Sequence, residues 1–143
     1  MPWVSPIYDR THADVLFAAE HGSSPLPLKG ARNHTDLQRI TGNAHYLRDY
    51  FVLLGFAVPS MTCKTAWSLG EVPAYAEIAK IRADLISLKA VVPAIQSAAV
   101  PSLPYNDYMK INDVERILFD IERVLAGVEK SIIRCGEIFS GEW

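Results

Sequence analysis

One pattern of polar and apolar positions occurs three times along the chain. It reads Thr35-Asp36-Leu37-Gln38-Arg39-Ile40, then Ala76-Glu77-Ile78-Ala79-Lys80-Ile81, then Asn112-Asp113-Val114-Glu115-Arg116-Ile117. Each copy holds an acid, an aliphatic residue, any residue, a base and an isoleucine. Three residues past the isoleucine stands Asn43, Asp84 or Asp120, followed by apolar Ala44, Leu85 or Ile121. The acids Asp36, Glu77 and Asp113 are 41 and 36 residues apart, a spacing suited to a repeated helical unit. The apolar steps after each acid alternate three and four: Leu37, Ile40, Ala44, Leu47, Phe51; Ile78, Ile81, Leu85, Leu88, Val92; Val114, Ile117, Ile121, Val124, Val128. That is a heptad seam, so each copy predicts a long helix. Acid and base three apart lie one turn apart and add only a few tenths of a kcal/mol. Asn43, Asp84 and Asp120 fall on the same flank. They read as a wetted helix edge, or more pointedly as polar contacts to a neighbouring helix or subunit.

The punctuation sets the bounds. Asp9 or Thr11 caps a short helix to about Glu20, with Val15, Leu16 and Ala19 inward. Pro25-Leu26-Pro27 makes an extended connector. The first long helix should run from His34 to Leu54 and stop at Gly55. Gly42, inside this helix, would let another helix approach closely. The second starts at Pro73 and ends near Pro93, and the third runs from Met109 to Arg134 behind the cap Asp107. Connectors of about 17 residues are long for a minimal bundle, and are expected to pack on its ends or reach a neighbour. The fold class is therefore all-α, a helical bundle of three long heptad-patterned helices plus one short N-terminal helix. An N-terminal arm (1–9) and a C-terminal arm (135–143) flank the bundle domain (10–134). The C-terminal arm is expected to be extended or a strand added to a partner.

The composition narrows the function more than it names one. The chain has 143 residues, half of them hydrophobic, with a formal net charge of −2. That is enough for one domain with its own core, and the charge gives no reason to expect nucleic-acid binding. No signal peptide and no membrane span are expected, because the longest uncharged run contains Pro93, Pro101 and Pro104. A protein made in the cytoplasm follows. Cys63 and Cys135 stand far apart; the spacing allows a disulfide without implying one, and two buried free thiols are the default expectation.

Chemistry is sparse. His12, His21, His34 and His45 lack the spacing of a zinc site, and neither cysteine has a histidine beside it. No phosphate loop, nucleophile elbow or dinucleotide fingerprint occurs. No metal, cofactor or catalytic set is expected. Trp3, Tyr8, Trp67, Phe139 and Trp143 lie outside the long helices. They either cap the bundle or anchor a partner, and as anchors they are the candidate partner-binding residues.

The order of these motifs resembles a known family. Trp3-Val4-Ser5-Pro6-Ile7-Tyr8-Asp9-Arg10-Thr11-His12-Ala13-Asp14-Val15 is similar to a pattern W-x-x-P-x-[YF]-D-R-T-x-A-D-V. Leu28-Lys29-Gly30-Ala31-Arg32-Asn33-His34-Thr35-Asp36-Leu37-Gln38-Arg39-Ile40-Thr41-Gly42-Asn43 is similar to the segment that follows it there. Lys64-Thr65-Ala66-Trp67 with Pro73, the stretch 108–121 and the ending Gly136 to Glu142 continue the likeness. These patterns belong to tail-associated structural proteins of tailed phages and prophages of Firmicutes. The resemblance implies a non-enzymatic virion component of the baseplate, fibre or neck, located in the tail. It implies other tail proteins as partners and a closed trimer or hexamer. Ala74 departs from the pattern, which favours a Ser or Thr cap. The alternative is a small cytoplasmic helical protein that binds or regulates a partner.

Overall fold

The structure, a computed structural model, describes residues 3–21, 29, 34–68, 73–93 and 95–142, with side chains as far as Ile132. It is all-helical: α1 (His12–Glu20), α2 (His34–Leu53), α3 (Tyr75–Val91) and α4 (Tyr108–Glu142). No strand occurs among the described residues. Trp143 and Asn33 lie outside them.

Local chemistry explains the boundaries. Thr11, not Asp9, caps α1, because its hydroxyl accepts from Asp14 N–H while the Asp14 carboxylate accepts from Thr11 N–H. α2 ends at Leu53, and the chain leaves it through Gly55, whose φ of 94° suits a residue without Cβ. Ala74 starts α3 with no side-chain cap, so only backbone bonds from Glu77 and Ile78 hold that turn. Asp107 accepts from Met109 N–H and opens α4 at 2.9 Å. Two expectations are corrected. The inner face of α1 is Ala18 with half-buried Val15, whereas Leu16 is 52% exposed. The C-terminal arm is not extended: helix continues through 135–142. One more turn of helix adds a backbone bond per residue, and this outweighs the breaking tendency of Gly136.

α2, α3 and α4 contact one another pairwise. Their shared core holds Leu37, Ile40, Ala44, Leu47 and Phe51 from α2, Ile81, Leu85 and Leu88 from α3, and Val114, Ile117, Leu118, Ile121 and Leu125 from α4. The helices run parallel. Early residues meet early residues at Arg39–Glu115, and late residues meet late residues where Tyr50 O–H donates to Glu129. Ile78 and Ile81 of α3 share a cleft with Leu37 and Ile40 of α2 and Ile111 and Val114 of α4.

Parallel helices oblige the chain to travel back their full length between them, and this is what the long connectors do. They do not cap the ends, as their length alone suggested. The second connector passes Arg48 with Val58 O, His45 with Cys63 O and Gln38 with Trp67 O, so it descends α2 as its own numbers rise. The third passes Lys89 with Ala98 O and Arg82 with Pro101 O along α3. The N-terminal arm passes Asn43 with Val4 and Asp36 with Arg10 along α2. Each of these three straps lies against two helices.

Candidate functional site

The three polar residues after the repeat isoleucines are where the straps are fastened. Asn43 pairs with the Val4 backbone in both directions: its Nδ2 donates to Val4 O at 2.8 Å, and Val4 N–H donates to its Oδ1 at 3.0 Å. Asp84 accepts from Thr62 N–H, the Thr62 hydroxyl and Cys63 N–H at 2.8–3.0 Å. Asp120 accepts from the Ser97 hydroxyl at 2.6 Å. All three are buried. The wetted-edge reading is therefore corrected: each row is covered by an extended segment, whose backbone Asn43 and Asp84 pair and whose Ser97 hydroxyl Asp120 accepts. The contact is with a connector, where a neighbouring helix had been the sharper expectation.

The densest polar cluster fastens the first strap near the helix starts. Arg10 is buried between Asp36 at 3.3 Å and Glu115 at 2.8 Å. Its guanidinium also donates to Ile7 O, Lys29 O and Asn112 Oδ1. Arg39 grips Asp36 at 2.7 Å and both oxygens of Glu115, at 2.5 and 2.9 Å. Glu115 accepts Ile7 N–H as well, and Asn112 accepts Arg10 N–H and donates back to Arg10 O. Two guanidiniums thus face two carboxylates, with zero net charge. Burial works against the Arg39 charge, but Glu115 and Asp36 outweigh it and hold the guanidinium above its ordinary range. Ions so engaged with one another fix the geometry of the arm against α2 and α4.

Beside this cluster opens a cleft of about 410 Å³. Its walls are mainly Leu37, Ile40, Ile78, Ile81, Ile111 and Val114, with Arg10 and Asp36 at one side. Among the described residues, no three His, Cys, Asp or Glu side chains come together as a metal site. Burial, and then Asp84, push the Cys63 thiol well above its usual range, which opposes thiolate formation.

The candidate anchors separate. Trp67 is only 4% exposed; its indole N–H donates to Thr41 Oγ1 and Lys64 O. It belongs to the core, and its assignment as a docking residue is corrected. Trp3 is half-buried against Tyr46, with ring centroids 5.6 Å apart. Tyr8 packs on Phe119 at 5.1 Å under the Arg116 guanidinium. Both hold the first strap down. Phe139 lies on α4 with its side chain outside the described set, and Trp143 lies outside altogether. Arg10, Asp36, Arg39 and Glu115 were not singled out as site residues; Arg10 stands in the quoted arm motif and the others in the helical repeats. No described helix is long and apolar enough to cross a membrane. Comparison with family models, curated proteins and solved structures found no match.

Proposed function

We propose that this protein is a non-enzymatic structural part of a phage tail or tail-like particle, an adaptor in which heptad seams close a three-helix bundle and other tail proteins dock on its outside. One observation carries the reading beyond the resemblance itself. Arg10, Asp36 and Asn43, which stand in the stretches that carry the resemblance, are buried and hold an arm to a helix. Motif residues used in this way support an architectural role over a catalytic one. A closed trimer or hexamer follows from the resemblance. The seams meet inside one chain, so such a ring would use other surfaces.

The test is fractionation of a lysate from cells that carry the gene. An antibody against the chain should detect it in the tail or particle band of a density gradient, and immunogold labelling should place it on tails. A chain that stays at the top of the gradient in every preparation would favour the cytoplasmic binding protein instead.

A further inference from the structure

Helix α4 has 35 residues, against 20 in α2 and 17 in α3. Matching the repeat acids, Leu53 stands level with Lys130 and Val91 with Gly127. Residues 131–142 therefore run roughly 18 Å past α2 at 1.5 Å per residue. Where α3 stops, α4 carries an open groove lined by Val124, Gly127, Val128, Ser131 and Ile132. A Cβ built on Gly127 would meet nothing within 4 Å. Ile132 is 51% exposed and Leu53, at the same end, 78%. Exposed Arg123 and Lys130 stand four before and three after Gly127, so they border the groove with positive charge.

We propose that this groove seats the overhanging end of α4 from a second copy of the chain, giving an antiparallel twofold pair. The overhang has the complementary chemistry: Ile138 and Phe139 are apolar, and Glu137 and Glu142 are the only charges beyond Arg134. The direction follows from packing. The groove adjoins Ile121 and Leu125, which face the chain's own core, so two parallel copies would place both bodies in the same space. Antiparallel ends leave the bodies at opposite poles, and each groove receives the other copy's end. This pairing stands independently of the particle reading; of the two rings that reading names, a hexamer can be built from three such pairs and a trimer cannot.

Light scattering on the purified full chain, from dilute to concentrated, tests it with two variants. Ile132→Glu puts a charge at the contact. Gly127→Gln fills the groove from a position where an added Cβ meets nothing within 4 Å in the single copy, and it improves helix propensity. The wild type should pass from monomer to dimer, and each variant should weaken pairing roughly tenfold or more. Gly127→Gln should keep its helical signal and its melting temperature, which separates lost pairing from lost folding. A monomer at every concentration, a trimer, or a dimer indifferent to both substitutions would overturn the proposal.

Discussion

Arg10 shows how one side chain ties sequence-distant parts together. It joins the arm to α2 through Asp36 and to α4 through Glu115. Arg10→Met would take from the buried Asp36 and Glu115 one of the two guanidiniums they share. Removing one partner of a buried ion cluster costs about 3–5 kcal/mol, so urea denaturation should show a loss of that order. The Trp67→Ala variant should lose about 3–5 kcal/mol as well, because it empties a core site. A surface anchor would lose little stability. Burial also sets an alkaline limit. It raises the Cys63 thiol from its usual 9.0, and the Tyr105 hydroxyl from 10.0 to about 12. Both groups are held neutral in the folded protein and ionise more readily when unfolded. Their stabilisation is complete below pH 9 and declines as pH rises towards the folded values. Denaturation midpoints should accordingly hold steady to about pH 9 and fall from there to pH 12. Cys63→Ser should delay the start of that fall.

At the scale of elements, the unit that repeats is a strap followed by a helix, with the polar residue seven past the repeat acid as its fastener. The helical part of this unit was legible in the sequence: Leu37 to Phe51 and Ile81 to Leu88 mark core faces by spacing alone. The strap was not. A helical row carrying Asn43, Asp84 or Asp120 looks identical whether water or an extended backbone covers it, since both satisfy a polar side chain. The same ambiguity hid the cluster, because Asp36 and Arg39 fit a surface pair three residues apart as well as a buried one. Length was the usable clue: the 21 residues between α2 and α3 and the 16 between α3 and α4 are too many for an antiparallel turn and enough for a return journey. The tail misled through Gly136 and Gly141, whose local preference is weak against continuation of a long helix. Gly55 gives this scale its prediction. At φ 94°, Gly55→Ala should cost about 1–2 kcal/mol in thermal or urea unfolding.

For the whole molecule, α2, α3 and α4 run parallel, and extended straps carry the chain back between them. Among the described residues, all three helix starts gather at one end and α4 alone projects from the other. Opposite ends then offer different surfaces to different neighbours. The direction of the helices is the central claim, and one distance tests it. Spin labels at exposed Leu53 and Tyr75, in a Cys63→Ser, Cys135→Ser background, mark the end of α2 and the start of α3. Parallel packing predicts a separation of about 30 Å by pulsed electron resonance, the length of α2. A separation near 10 Å, the spacing of adjacent helices, would mean that α3 turns straight back along α2, and it would contradict the account.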